Sequence, residues 1–436
     1  MSGIARVMAA RGAQVSGSDL HDSATLTGLR NLGIQVFLGH DPANVAGADL
    51  VVRSSAINSE NPELLAATSA NMKVLGRAEA LSQLLLDKKS IAVAGTHGKT
   101  TTTSMLAVAL QGCGLDPSFA IGATMRNSGT NAHHGSGDIF IVEADESDGS
   151  FTHYKPYGAI ITNIELDHVD NFKDIASIDN LFRQFADTVR EKFVVCADDP
   201  GAQRLIQYLQ GRSAEVITYG TSEDSDLKID RIFLGAKEAT ARLVFHGRVW
   251  GELKLAIPGR HNLFNATAAV AMGHLLGAPI QSLISGLATF TGARRRFEIR
   301  GSANGVTVID DYGHHPTELR ATIETARNFA GTGNVYVIFQ PHRFSRTAAF
   351  AAEFARELEL ADHTFLLEIY PAGELPIPGV TSGSIAKLMR SDKVTYEPSM
   401  PEVIAKVVAK SEPGDLILTL GAGDVSSLAP LIVENL

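Results

Sequence analysis

From residue 1 to residue 86, short β-prone runs alternate with stretches in which apolar residues return every three or four positions. Ile4, Val7, Met8 and Ala9 fall on one side of a helix over residues 1–12, with Gly12 where a helix stops. Strands are predicted at 14–18, 35–38, 50–53 and 73–75, and helices at 25–32, 62–69 and 78–86. Alternation at this spacing predicts a parallel sheet with helices on both faces, a Rossmann-like unit. Such a unit ordinarily opens with a strand and a Gly-rich turn. This chain opens where the first helix is due, so its first strand is expected to be missing.

Asp87-Lys-Lys-Ser90 is a polar joint, which sets the first unit at residues 1–88. A second unit, 89–292, contains apolar strands at 91–94, 138–142 and 158–163. The alternating stretch 239–255, broken at His246-Gly247, predicts a hairpin added to the main sheet, and an Ala-rich helix then runs to residue 276. Beyond a Gly- and Arg-rich connector, the third unit, 293–436, resumes strand and helix alternation with strands at 306–309, 334–339, 363–367, 393–396 and 415–420. The fold class is α/β in three domains, the middle one a parallel sheet built around a phosphate loop.

That loop lies in Ile91-Ala-Val-Ala-Gly-Thr-His-Gly-Lys-Thr-Thr-Thr-Thr103, where a strand ends in two glycines and a helix pattern begins. Gly95 and Gly98 let backbone N–H groups close round phosphate oxygens, Lys99 reaches the terminal phosphates, and the Thr100 hydroxyl can ligate Mg²⁺. Gly95, Thr96, His97, Gly98, Lys99, Thr100 and Thr101 are the candidate nucleotide-binding set. The usual first glycine, five residues before Gly98, is Val93 here, and this shorter loop points away from GTPases and motor ATPases.

Composition narrows the choice. A net charge of −10 argues against a general nucleic-acid or membrane-surface binder, so an anionic ligand must be met by local cations. Cys113 and Cys196 stand alone, as expected of a protein in a reducing cytoplasm. No apolar run is long enough to span a bilayer.

Acidic and imidazole groups end the strands beside the loop, in Glu143-Ala-Asp-Glu-Ser-Asp148 and Asn163-Ile-Glu-Leu-Asp-His168. This is where a metal-nucleotide site is expected, with Thr100, Glu143 and His168 as candidate ligands. Asn262 and Asn265 read either as helix caps or as nucleotide contacts. Arg294, Arg295 and Arg296 sit at the second junction, placed to reach a phosphate. In the third unit, Asp310-Asp-Tyr-Gly-His-His-Pro316 and Gln340-Pro-His-Arg-Phe-Ser-Arg346 each follow a strand. Arg343 and Arg346, three apart, can grip a carboxylate. His314 and His315, adjacent on a loop, favour substrate contact over zinc. Gly421-Ala-Gly-Asp424 is half a dinucleotide fingerprint, which close packing of helix on strand explains.

Taken in order, these seven motifs, from Gly95-Thr-His-Gly-Lys-Thr-Thr-Thr102 to Gln340-Pro-His-Arg343, resemble the Mur ligases of peptidoglycan synthesis. Among them the likeness is greatest to the branch that joins L-alanine to UDP-N-acetylmuramate. The resemblance implies an ATP- and Mg²⁺-dependent carboxylate–amine ligase of the cytoplasm, monomeric or homodimeric, working through an acyl phosphate. Asn262, Asn265 and Arg296 would then contact the nucleotide, and Arg296 and Asp311 would complete the site on closure. His315, His342, Arg343 and Arg346 would line the amino-acid pocket, and Ser54 and Ser55 would contribute to the UDP-sugar site. Lys99, His168, Arg296, Asp311 and His315 are the catalytic candidates. The alternatives are a recycling ligase for murein tripeptide, a folyl-polyglutamate-type ligase, and a regulatory nucleotide binder without a complete UDP-sugar site.

Overall fold

The computed structural model describes residues 1–54 and 56–436. The amino-terminal helix, Ser2–Ala10, buries Ile4 and Val7 against Leu81, Leu84 and Phe140. Strand Ser16–Asp19 pairs in parallel with Gln35–Leu38, and Leu50–Arg53 with Lys73–Gly76. The parallel pairing matches the alternating pattern, but the four strands form two separate ladders instead of one sheet.

Residues 89–255 build a ten-stranded sheet. Strand Lys89–Ala94 lies inside it between Gly158–Ile161 and Ile139–Glu143, parallel to both, with Ile91 to Ala94 fully buried. Continuous apolar runs of this kind are what a strand covered on both faces requires. One face carries helices Lys99–Gly112, Arg260–Leu275 and Ile280–Leu287, whose Met105, Leu106, Leu263, Val270 and Leu283 share a core with the sheet. The other face packs Phe151, Phe182 and Phe185, the last stacked on Phe151 with ring centroids 4.5 Å apart. At one edge, strands Ala239–Phe245 and Arg248–Leu255 form the expected antiparallel hairpin.

Residues 298–420 build a six-stranded sheet, parallel except for Glu298–Ala303, which runs antiparallel to Val306–Asp311. Its helices include Pro316–Ala330 and Phe344–Leu358, and apolar cores cover both faces. Strands Val306–Asp311 and Val335–Phe339 end toward the ten-stranded sheet, which sets the loops after them against the phosphate loop. Among the described residues, no helix is long and apolar enough to cross a membrane.

The hairpin turn generates a test. His246 (φ 45°) and Gly247 (φ 79°) are both left-handed, as a two-residue turn of this twist demands, and a Cβ at Gly247 meets nothing within 4 Å. Gly247→Ala therefore acts through backbone strain alone and is expected to cost about 1 kcal/mol. His246→Asn should be neutral or stabilising. Apparent midpoints of thermal unfolding check both, and an unshifted midpoint for Gly247→Ala contradicts the turn assignment.

Candidate active site

The phosphate loop is shaped by two glycines and stitched to the neighbouring strand end. Gly95 takes φ +133°, and a Cβ there would stand 2.1 Å from Thr162 Oγ1; one at Gly98 (φ +81°) would stand 2.7 Å from Asn265 Oδ1. His97 N–H donates to Asn163 Oδ1 (2.8 Å), while Thr162 Oγ1 donates to His97 O (2.6 Å). Glu165 N–H donates to Thr96 Oγ1 (2.9 Å). The first N–H groups of helix Lys99–Gly112 have no partner within the helix and face out of its positive end.

Carboxylates crowd the cations of this loop. Lys99 Nζ donates to Gly95 O (2.8 Å), Thr96 O (3.2 Å) and Glu146 Oε2 (2.7 Å). Burial works against its ammonium, but Glu146, Asp145 and Glu143 outweigh burial and raise its pKa. Burial pushes the Glu146 carboxyl up to about 7 against the pull of Lys99. Thr100 Oγ1 donates to Glu143 Oε1 (2.8 Å), whose other oxygen accepts from Gly122 N–H (2.7 Å). His168, left-handed at φ 50°, sits 3.9 Å from Glu146 Oε1 and so stands with Glu146 and Asp145 instead of beside Glu143.

The third unit closes on this loop. A cavity of about 330 Å³ has His97, Gly98, Thr101, Asn262, Asn265, Arg296 and Asp311 in its wall, with Ile257, Phe290 and Phe297 as apolar surface. Arg296 lies over the Tyr312 ring and 3.6 Å from Glu318. Asp311 accepts N–H bonds from Phe297 and Gly313, both 2.8 Å, and burial raises its carboxyl to about 6 against Arg296. The three connector arginines do not act together. Arg294 is exposed, and Arg295, which shares the Tyr312 ring with Arg296, donates to Gly421 O (2.7 Å) and Gly423 O (3.1 Å). Left-handed backbone at Arg295 (φ 58°) and Phe297 (φ 46°) sends neighbouring side chains in different directions. The Gly421-Ala-Gly segment is thus an anchor for Arg295.

Further links cross between the sheets. Arg346 donates through Nε (2.9 Å) and Nη2 (2.8 Å) to Asp167 Oδ1, with both side chains buried. Burial disfavours the Asp167 carboxylate, but Arg346 and His168 hold its pKa far below the usual range. Arg343 pairs with Asp170 and lies 3.6 Å from Glu374. His315 Nε2 donates to Leu166 O (3.2 Å), and Thr317 Oγ1 donates to Glu165 Oε2 (2.6 Å). His97 lies between Glu165 (3.5 Å) and Glu318 (3.4 Å); burial opposes its charge, but the two carboxylates raise it to about 10. His314 and His315 diverge, the first toward Glu318 and Tyr312, the second toward Leu166. His342 stacks on Tyr370 and faces Arg346.

Lys99, Thr100, Glu143 and His168 therefore gather on one side of the joint, and Arg296, Asp311, His315, His342, Arg343 and Arg346 reach it from the other. Ser54 stands apart: its Oγ accepts from Ala56 N–H (3.4 Å), and it is not among the cavity residues. Ser55 lies outside the described residues. Sequence reading passed over Glu146, Glu165, Asp167 and Glu318. The first three lay inside motifs already singled out, and Glu318 is a first-turn acid of the helix after His315.

Comparison with known proteins follows the same order along the chain. Family models match residues 1–89 (Mur ligase family, catalytic domain), 93–273 (Mur ligase middle domain) and 295–423 (Mur ligase, glutamate ligase domain). The UDP-N-acetylmuramate–L-alanine ligase of Acidothermus cellulolyticus is 46% identical over 441 residues, covering 100% of this chain and 92% of the relative. The crystal structure of the UDP-N-acetylmuramate-alanine ligase MurC of Thermotoga maritima is 30% identical with a TM-score of 0.84, over 100% of this chain and 96% of that one. A murein peptide ligase of Psychrobacter arcticus, 24% identical with a TM-score of 0.73 over 100% of this chain and 97% of that one, shares the fold. Three consecutive models and a full-length likeness of this strength leave one conclusion: the chain belongs to the Mur ligase family.

Proposed function

We propose that the protein is an ATP-dependent ligase that joins L-alanine to the carboxylate of UDP-N-acetylmuramate through an acyl phosphate, in the cytoplasmic synthesis of peptidoglycan precursors. The observation that carries this is the shared cavity: Arg296 and Asp311 of the third unit stand in one wall system with His97, Gly98 and Asn265 of the phosphate-loop unit. Units of 1–88, 89–292 and 293–436 suit a division into UDP-sugar, ATP and closing domains. The alanine branch is favoured over murein recycling by the TM-score of 0.84 to an alanine ligase structure against 0.73 and 0.61 to two murein ligase structures, and by the full-length 46% identity to a relative named for alanine ligation.

ATP suits the cavity: apolar Ile257, Phe290 and Phe297 offer a base surface, Asn262 and Asn265 offer polar contacts, and the loop N–H groups face phosphate. A divalent cation also fits. Among the described residues Glu146 Oε1 is buried without a hydrogen-bond partner, and Asp145, Glu146 and His168 bring one ligand atom each within 4.8 Å of one another. Mg²⁺ would be held by Thr100 and Glu143, with His168 and Glu146 serving a second position, and would supply charge neutralisation on the phosphates.

In this reading Lys99 and Arg296 bear on the phosphoryl group as it passes to the muramate carboxylate, so that positioning and fixed charge supply the acceleration. Asp311 holds the connector through Phe297 N–H and keeps Arg296 over Tyr312. Arg343 is a partly exposed guanidinium at the joint and is assigned to the alanine carboxylate, while His342, the residue before it, faces Arg346. Arg346 is saturated by Asp167 and positions that loop. The amine of alanine attacks the acyl carbon, phosphate leaves, and the amide remains. His315 is assigned a positioning role, because its ring nitrogens face Leu166 O and Thr317 N–H. Ser54 and Ser55 remain the candidate UDP-sugar contacts.

Phosphate release by the purified chain with ATP, UDP-N-acetylmuramate and alanine, glycine or serine in turn should be greatest with alanine. Release that needs no amino acid would show a regulatory ATPase instead. Lys99→Ala is expected to lower kcat by roughly two to three orders of magnitude with circular dichroism unchanged; near-normal turnover removes its phosphate role. Arg343→Ala should raise KM for alanine roughly tenfold or more, the loss of a charge-assisted carboxylate contact, while KM for ATP stays within about twofold. Equal effects on both substrates count against the pocket assignment.

A further inference from the structure

The joint between the two large sheets holds a second constellation of ligand atoms, apart from the cluster at Glu146. His97 Nε2 is buried and lacks a hydrogen-bond partner among the described residues. It faces Glu165 Oε2 at 3.5 Å, and the same carboxylate oxygen faces His315 Nδ1 at 3.8 Å. One ligand atom from each of the three residues lies within 4.8 Å of the other two. Four-coordinate zinc, with bonds of about 2.0–2.2 Å, sets its ligand atoms about 3.4 Å apart, so only small side-chain shifts separate this arrangement from a coordination shell.

The atoms behind the three ligands are also those of a metal site. A ligating histidine ordinarily passes its other ring nitrogen to a carboxylate or a backbone carbonyl, which fixes the ring. His97 Nδ1 faces Glu318 Oε1 at 3.4 Å, and His315 Nε2 donates to Leu166 O at 3.2 Å. Glu165 Oε2 is steadied by the Thr317 hydroxyl at 2.6 Å. Thr317 N–H donates to His315 Nδ1 at 3.4 Å, the long limit of such a bond. The Glu165 side chain is partly open to solvent and leaves an entry path.

We infer that His97, Glu165 and His315 form a transition-metal site of the two-histidine, one-carboxylate type, with a fourth position for water, which joins the phosphate-loop body to the C-terminal body. Two imidazoles and one carboxylate select Zn²⁺ or a similar ion over Mg²⁺, which takes oxygen shells. His97 and Glu165 belong to one body and His315 to the other, so the ion holds the two bodies together. Glu318 stands behind His97 with Arg296 3.6 Å and His314 3.4 Å from its carboxylate, and the Phe350 ring packs edge-on against His315.

The test uses Co²⁺ as a spectroscopic substitute for Zn²⁺, titrated into the full-length, metal-free chain without nucleotide. The site predicts one Co²⁺ with the intense visible absorption of four-coordinate nitrogen and oxygen ligation, displaced by Zn²⁺. His315→Ala and Glu165→Gln should each weaken binding by at least about tenfold or abolish that absorption. His168→Ala, which alters the other cluster, should leave it intact. Zn²⁺ should also raise the apparent melting temperature of the wild type and not that of His315→Ala. Circular dichroism without metal confirms that each variant is folded, and Glu165→Gln, nearly unchanged in volume, serves should His315→Ala fail to fold. Absorption that survives both joint variants, that vanishes in His168→Ala, or that never appears at micromolar Co²⁺ overturns the assignment.

Discussion

A guanidinium and a carboxylate buried against each other set the relation between the two large bodies. Arg346 and Asp167 are each almost fully covered, one on the first turn after strand Val335–Phe339, the other in the loop after strand Gly158–Ile161. Either charge buried alone would cost several kcal/mol, so each requires the other. Their attraction is offset by the water both have given up, and separation of the bodies would return that water to both. Such a pair specifies where the bodies meet without holding them irreversibly. The links around it, from Glu165 to Thr317 and from Arg343 to Asp170, depend on the same placement.

Topology makes the meeting possible. In a parallel sheet every strand delivers its loop to one edge, and ligands gather beyond the carboxyl ends of the strands. The ten-stranded sheet presents the phosphate loop, the Glu143–Glu146 turn and the 163–168 segment there, while the six-stranded sheet presents Asp311 and the loop after Phe339. Facing these edges toward one another confines both sets of charged groups to one joint. The two carboxylates that raise the His97 pKa against burial, Glu318 and Glu165, come one from each side of that joint.

Features governed by short-range rules could be read directly from the amino acids. A strand, two glycines and Lys-Thr before a helix pattern describe one local event, and so does the His246-Gly247 hairpin. Contacts between distant segments left no such mark. Glu318 meets His97 across more than two hundred residues, and nothing near either one announces the other. Glu146 was hidden by its surroundings, one acid among several, until burial and the Lys99 ammonium set it apart. Arg294, Arg295 and Arg296 looked equivalent because composition does not reveal backbone direction, and the left-handed turns at Arg295 and Phe297 give each a different destination. The division of the first unit into two ladders also depends on pairing partners that periodicity does not specify.

The helix behind the phosphate loop is buried at every residue from Thr100 to Leu110, and its hydroxyls are turned inward, Thr103 to Lys99 O and Ser104 to Thr100 O, both at 2.8 Å. A helix with no solvent-facing side cannot fray from its amino end without opening the core around it, so its backbone amides should exchange only in the rarest, near-global openings. The anion-seeking end of the molecule is therefore held rigidly by its own core. Any accommodation of ligands of different shape falls to the strained connector near Arg295 and Phe297.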